Sequence, residues 1–253
     1  MCKIILITFL LMELCQLKIN VMRESQLFET TPGIKHVITV NAETFHKIRK
    51  DSRLKQIINN NLATIDGQIP LWLFKCKHKG TSITKIPGSQ LIYSVSQWAA
   101  ANNKKVFLLG GKEPSNALAV VKLREKYGVS IKGFSPAFEN YPFKSETNLR
   151  ILEQIKEFAP DVLFVGFGMG KQEYWIDDFK DELEHTGVKL VLGCGGSFEF
   201  ASGIIKRAPV LFQKAGLEGI WRLVSEPKWF RVKRLFISFG IFYYFVQDIL
   251  SPQ

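Results

Sequence analysis

Several recurrent chemistries have no residues to run on in this 253-residue sequence. The four cysteines, Cys2, Cys15, Cys76 and Cys194, show no paired spacing and are joined by only four histidines. That removes a zinc module or a disulfide framework and leaves free thiols as the expectation. No Asp-x-Asp occurs, so the carboxylate pair that often holds a divalent ion against a diphosphate is missing. No Gly-x-Ser-x-Gly elbow occurs either, which speaks against a Ser-His-Asp hydrolase. Internal repeats and low-complexity linkers are absent. Residues 1–15 have the single lysine and short apolar run of a signal peptide but lack a small-residue cleavage site, and Leu14 is too large for a lipoprotein cut before Cys15. Retained structure or a peripheral anchor is the expectation for that segment.

The two familiar phosphate loops are also missing, at the place where one is most expected. Residues 160–175 (PDVLFVGFGMGKQEYW) run from a buried-strand pattern through three glycines into a helix start, the arrangement that presents backbone amides to phosphate. A P-loop would need glycine where Val165 stands and Ser or Thr where Gln172 stands. The dinucleotide fingerprint would need a third glycine where Lys171 follows Gly166 and Gly168. The turn therefore reads as a ligand turn, and not one for ATP hydrolysis or NAD.

What is present is a chain of 46% hydrophobic residues, enough for one large core, or one core with a small appendage. Strands are expected at 36–40, 62–65, 105–109, 129–134, 161–166 and 188–193, and helices at 43–60, 88–101, 114–127, 145–158 and 172–185. Continuous apolar strands alternating with helices predict an α/β fold, a mostly parallel sheet with helices on both faces. Ligands bind such sheets at the carboxyl ends of the strands. There the sequence places Thr39 and Asn41, then Asp66-Gly67, Gly110-Gly111, residues 166–172, and residues 193–197. Any one glycine pair could merely turn the chain; five such places together suggest a long cleft for a ligand with phosphates, a sugar and a base.

Asp66 ends an apolar strand before a glycine and is the candidate acid-base residue, able to take a proton from a hydroxyl nucleophile; the competing reading is the N-cap of a helix over 69–76. Thr39 and Asn41 offer neutral hydrogen bonds to a sugar, although asparagine after a strand often caps a helix. Gln172 could read a ligand from the first turn of its helix, where Glu173 could equally be an acid complementing the helix dipole.

The net charge of +11 is concentrated late. Residues 206–234 carry Lys206, Arg207, Lys214, Arg222, Lys228, Arg231, Lys233 and Arg234 against Glu218 and Glu226, interleaved with Phe212, Trp221, Trp229, Phe230 and Phe236. The apolar stretch 235–246 that follows is too short to span a bilayer. Three readings fit: a face lying on anionic lipid, an amphipathic helix packed on the core, and a nucleic-acid surface, the last weakened by the lack of a helix-turn-helix, RRM or zinc module.

These motifs together resemble the WecG/TagA/CpsF glycosyltransferases of bacterial surface-polysaccharide and teichoic-acid assembly, across about residues 35–235. The resemblance rests on ordered blocks: residues 37–43 (VITVNAE), 65–67 (IDG), 86–89 (IPGS), 107–111 (FLLGG), 160–166 (PDVLFVG) with 171–175 (KQEYW), and 195–198 (GGSF) with 206–209 (KRAP). It implies a Rossmann-like sheet of the GT-E type with a C-terminal helical, membrane-facing appendage. Three regions follow: 1–34 as an apolar or helical segment, 35–205 as the catalytic core, and 206–253 as the appendage.

By the same resemblance the chain is a hexosyltransferase, inverting, metal-independent and without a cofactor. It would move a hexose or N-acetylhexosamine-type sugar, among them N-acetylmannosamine, N-acetylmannosaminuronic acid or glucose, from a UDP-sugar to a polyprenyl-diphosphate-linked sugar such as the undecaprenyl carriers of O-antigen assembly. The implied location is the cytoplasmic face of the cell membrane, bound peripherally to anionic lipid, with no nucleic-acid partner and with a homo-oligomer compatible.

Asp66 would be the general base. Thr39, Asn41, Lys85, Gly110, Gly111, Gly168, Lys171, Gln172, Gly195 and Gly196 would bind substrate, with Thr39 and Asn41 at the sugar and Gln172 at the donor. Arg207, Arg222, Arg231 and Arg234 would face the diphosphate and the membrane, and no residue would hold a metal. Two departures stand out: Lys85 and Gln90 occupy places where the family commonly has Arg and an acid, and a lysine there keeps the charge but loses the bidentate fork. The alternative is a non-catalytic nucleotide-sugar-binding regulator or scaffold of the same pathway.

Overall fold

The computed structural model describes residues 10–29, 31–209, 211–212, 218–225, 227 and 229–250. Six strands form a parallel sheet: β3 (Lys35–Val40), β4 (Leu62–Ile65), β5 (Lys105–Gly110), β6 (Ser130–Phe134), β7 (Val162–Gly166) and β8 (Leu190–Gly193), in the order β4-β3-β8-β7-β5-β6. The α/β architecture, the parallel sheet and its flanking helices agree with the sequence reading. The residues group into two compact units, one of 27–38 and 88–206, the other of 10–26, 39–87 and 207–250, with β3 shared between them.

In the first unit β5, β7 and β8 are apolar on both sides, unlike the edge strand β6, where Ser130 is exposed. Val106 to Leu109 and Leu163 to Val165 are fully buried, which is why alternation gives way to continuous hydrophobic runs. Period two reappears in the packing. Phe107, Leu109, Leu163, Val165 and Val191 share one face with Ile151 and Ile155 of α6 (Ser145–Phe158), Trp175 and Ile176 of α7 (Lys171–Asp178), and Leu183 of α8 (Lys180–His185). On the opposite face lie α4 (Gly88–Ala101), α5 (Glu113–Tyr127) and the short α9 (Ser197–Ala201). The expected single helix over 172–185 is two, broken at Phe179, which ends α7 and begins α8.

In the second unit, the expectation of an apolar or helical segment over 1–34 is corrected for residues 10–21. These form an antiparallel hairpin of β1 (Leu10–Leu14) and β2 (Leu17–Val21). β2 alternates over its first three residues, where Leu17 and Ile19 are buried and Lys18 is exposed, and Asn20 after them is buried as well. Its two-residue turn places Cys15 at φ 49° and Gln16 at φ 72°, positions that usually need Asn-Gly. Tertiary bonds hold it instead: the Cys15 N–H donates to Asp248 Oδ2 at 2.9 Å, and Asn59 Nδ2 donates to the Gln16 carbonyl at 3.2 Å. The part of the N-terminal segment before residue 10 lies outside the described residues.

The expected helix over 43–60 divides into α1 (Ala42–Lys47) and α2 (Ser52–Asn59), because Asp51 caps the second half by accepting the Leu54 N–H at 2.9 Å. α3 (Gln68–Lys77) follows β4. The C-terminal region contains α10 (Glu218–Ser225) and α11 (Trp229–Leu250). No helix among the described residues is long and apolar enough to cross a membrane.

α11 is packed within its unit. Ile241 is fully buried, Tyr244 Oη lies 2.8 Å from His46 Nδ1 of α1, and the Arg49 guanidinium stacks 4.6 Å above the Tyr244 ring. Asp248 pairs with Lys77 of α3 at 2.7 Å, both side chains nearly buried. The opposite side of α11 exposes Phe236, Phe239, Tyr243, Val246 and Leu250.

Candidate functional site

In the second unit, main-chain bonds gather four of the candidate residues. The Asp66 N–H donates to the Val40 carbonyl at 2.8 Å, and the Ile86 N–H donates to the Ile65 carbonyl at 2.8 Å. The first bond sets Asp66, just beyond β4, beside the Thr39-Val40-Asn41 end of β3. The second brings Lys85, the neighbour of Ile86, to the same strand end. Thr39, Asn41, Asp66 and Lys85 are all half-buried.

The N-cap position of α3 falls one residue after Asp66. It is Gly67, at φ 105°, which has no side chain of its own to cap with. A glycine is needed there because a side chain would be strained at that φ. Asn41, by contrast, is a cap. Its Oδ1 accepts the Thr44 N–H at 3.2 Å and Thr44 Oγ1 accepts the Asn41 N–H at 3.1 Å, a reciprocal capping box at the start of α1. The side-chain oxygen of Asn41 is thus committed to the helix, and its Nδ2 hydrogens are what it can offer a ligand.

In the first unit the candidate glycines follow β5, β7 and β8. The Gly111 N–H donates to the Gly166 carbonyl at 3.1 Å and the Cys194 N–H to the Val165 carbonyl at 2.9 Å, which ties the three strand ends together. The Phe198 ring lies against two of these glycines: a Cβ on Gly111 or Gly166 would come within 2.7 or 2.8 Å of it. Gly168 and Gly195 have open space where a Cβ would stand, and Gly196 is the N-cap of α9.

Lys171 turns toward the loop before α6. Its Nζ donates to the Glu139 carbonyl at 3.1 Å and sits 4.7 Å over the exposed Phe138 ring. Gln172 and Glu173 are buried. Gln172 Oε1 accepts the Gly195 N–H at 3.2 Å, its Nε2 donates to Glu173 Oε1 at 2.8 Å, and Glu173 Oε2 accepts the Gly170 N–H at 2.6 Å. Glu173 therefore caps its own helix, in the first turn where the sequence offered it as an acid complementing the helix dipole.

Residues that sequence reasoning passed over stand beside these. Asn116 donates from Nδ2 to the carbonyls of Leu108 and Gly110 at 2.9 and 2.8 Å, and Ser135 Oγ donates to Gly110 at 2.9 Å. A polar residue inside the apolar face of α5 was the available signal for Asn116; Ser135 carried none. The thiol of Cys194 is pushed above its ordinary range by burial, with the Glu173 carboxylate adding to the effect, which makes it a poor nucleophile. Burial and the neighbouring Asp248 push Cys15 up to about 12.

Arg207 is half-buried at the start of the C-terminal region. Arg222 lies in α10, and Arg231 and Arg234 lie in α11, but their side chains fall outside the described residues, as do Lys214 and Lys228. Among the described residues no group of three or more His, Cys, Asp or Glu side chains could hold a metal ion. Compared with known families, the chain matches the model described as "Glycosyl transferase WecG/TagA/CpsF family" over residues 12–252.

Proposed function

The chain belongs to the WecG/TagA/CpsF glycosyl transferase family, and on that premise we propose that it transfers a hexose or N-acetylhexosamine-type sugar from a UDP-sugar to a polyprenyl-diphosphate-linked sugar. Membership makes it a transferase of cell-surface polysaccharide synthesis; donor, acceptor and stereochemistry are the proposal. The observation that carries it is the gathering of Thr39, Asn41, Asp66 and Lys85 by the Asp66-to-Val40 and Ile86-to-Ile65 bonds.

The reaction is a single displacement. The acceptor hydroxyl oxygen forms a bond to the anomeric carbon as its proton passes to the Asp66 carboxylate. The bond from that carbon to the donor diphosphate breaks, and UDP leaves with the electron pair. One displacement inverts the anomeric centre. Thr39 and the Nδ2 hydrogens of Asn41 hold the sugar, and Lys85 is a point charge for the diphosphate where a guanidinium would have gripped it with two bonds. Amides of the glycine turns after β7 and β8, with Arg207, Arg222, Arg231 and Arg234, carry the remaining diphosphate charge.

The exposed side of α11 supports a peripheral place on a membrane. Phe236, Phe239, Tyr243, Val246 and Leu250 are presented outward, and exposed Lys233 stands near its amino end. Aromatic and apolar side chains beside cations suit the headgroup boundary of an anionic bilayer.

The test is a panel of UDP-sugars offered with a polyprenyl-diphosphate-GlcNAc acceptor, reading UDP release and lipid-linked product. One UDP-sugar giving product supports the reading; donor binding without product from any of them points to a non-catalytic binder. Sedimentation with anionic vesicles tests the membrane face, and no difference between anionic and neutral vesicles would count against it.

A further inference from the structure

Three hydrogen bonds link the turn after β7 to the turn after β8 through two adjacent side chains. Glu173, only 2% exposed, accepts the Gly170 N–H on Oε2 at 2.6 Å and a Gln172 Nε2 hydrogen on Oε1 at 2.8 Å. Gln172, 5% exposed, accepts the Gly195 N–H on its own Oε1 at 3.2 Å. Gly193 makes room for this chain, since a Cβ there would stand 2.5 Å from Gln172 Nε2 and 3.2 Å from Glu173 Oε1.

A carboxamide can be seated two ways round, and its neighbours decide which. A carboxylate only accepts, so Glu173 draws the NH2 end of Gln172 and turns the oxygen toward the Gly195 N–H. Reversal would set oxygen against carboxylate at one end and NH2 against N–H at the other. Burial removes the water that could otherwise repair either mismatch. Each end of the Gln172 amide thus has a partner within the protein, and through the Gly195 N–H it steadies the turn after β8.

We propose that Glu173 is a positioning residue for the donor: it fixes the orientation of Gln172 and so holds the turns at 167–170 and 194–196 in one arrangement for the donor diphosphate. This rests on reading those turns as the UDP end of the site.

The test compares the wild type with E173Q and with the swap Q172E/E173Q, using UDP as the probe. E173Q keeps an oxygen for the Gly170 N–H but turns a donor toward the Gln172 donor. UDP affinity is expected to fall about tenfold, the scale of one lost charge-assisted hydrogen bond, with donor KM rising in step and kcat nearly unchanged. In the swap, the carboxylate at position 172 accepts both from the Gly195 N–H and from the amide at position 173, whose oxygen still caps Gly170. Each donor again meets an acceptor, and UDP affinity is expected to return to near the wild-type value.

A swap as weak as E173Q would overturn the proposal and assign Gln172 a direct contact with the donor. A lower Tm in E173Q with unchanged UDP affinity would also overturn it, leaving only a helix cap. Should E173Q fail to fold, G193A disturbs the same carboxamide with the cap intact and is expected to weaken UDP binding as much; unchanged binding there overturns the proposal. If the wild type binds no UDP, the donor reading fails, and the strut is judged by hydrogen exchange over residues 193–197. Faster exchange in E173Q and recovery in the swap sustain the strut, whereas equal exchange in all three overturns it.

Discussion

The two units use polar residues at strand ends in opposite ways. In the first, side chains hold main chain: Gln172, Glu173, Asn116 and Ser135 spend their hydrogen bonds on Gly195, Gly170, Leu108 and Gly110. In the second, main chain gathers side chains: Asp66 to Val40 and Ile86 to Ile65 are backbone bonds that bring Thr39, Asp66 and Lys85 together. Where side chains shape the backbone, ligand affinity and local order depend on the same bonds and should fall together. Where the backbone positions the side chains, a reacting group can be removed without disturbing the frame.

Asp66→Asn tests that separation most severely. The two side chains are nearly the same size, and the Asp66 N–H bond to Val40 is untouched by the change. Turnover is expected to fall about 100-fold or more, the usual contribution of a general base, with Tm and UDP affinity unchanged. A near-wild-type rate with purified lipid acceptor would remove Asp66 from the mechanism. A large loss of Tm would instead break the contrast between the units.

Asp248→Ala should do the reverse within the same unit. The carboxylate receives both the Cys15 N–H and the Lys77 ammonium, in a place where Lys77 and Asp248 are 12% and 8% exposed. Truncation leaves a nearly buried cation and a turn amide without their acceptor, at a cost of about 3 kcal/mol in urea unfolding. The expected signature is lower stability at pH 7 with UDP affinity kept. A variant as stable as the wild type would show that α11 is not held by this knot.

His36 carries the contrast into pH. It is buried in the first unit at β3 with Nε2 unpartnered, and burial, aided by the Lys180 charge, lowers its pKa to about 3. The unfolded chain takes up that proton near pH 6.5, far above the folded value. The contribution of a neutral His36 is therefore complete above about pH 6.5 and is lost progressively as pH falls toward 3. Between pH 7 and pH 5 the wild type should lose about 2 kcal/mol more than His36→Leu. Parallel stability curves for the two proteins would show that His36 finds a partner in solution.

The sheet was legible because its central strands are buried on both faces, which leaves runs such as Leu163-Phe164-Val165 that admit few other readings. The hairpin at residues 10–21 was not. Its turn is Cys15-Gln16, held in the left-handed region by Asp248 and Asn59, residues distant in sequence, so no local signal marked it. The break at residues 48–51 did have a signal, the Asp51 cap, hidden by helical periodicity on both sides. At the site, glycines and Asp66 stood out by position after strands. Glu173 and Gly193 owe their roles to a contact between two turns separated by about twenty residues, which periodicity cannot carry.

Asn41 is the residue on which the contrast narrows most, because one side chain serves both purposes. Its oxygen caps α1 while its Nδ2 hydrogens are the part offered to the sugar. Asn41→Ala removes both, and stability should fall by about 1 kcal/mol, the usual worth of such a cap. Asn41→Asp keeps a capping oxygen of equal quality and discards the two donors, so its Tm should stay at the wild-type value while donor KM rises. Thermal melts and donor titrations on the two variants separate the roles. If Asn41→Asp turns over the donor with wild-type KM, Asn41 is a cap alone, and the sugar contacts of the second unit reduce to Thr39 and the groups around Asp66.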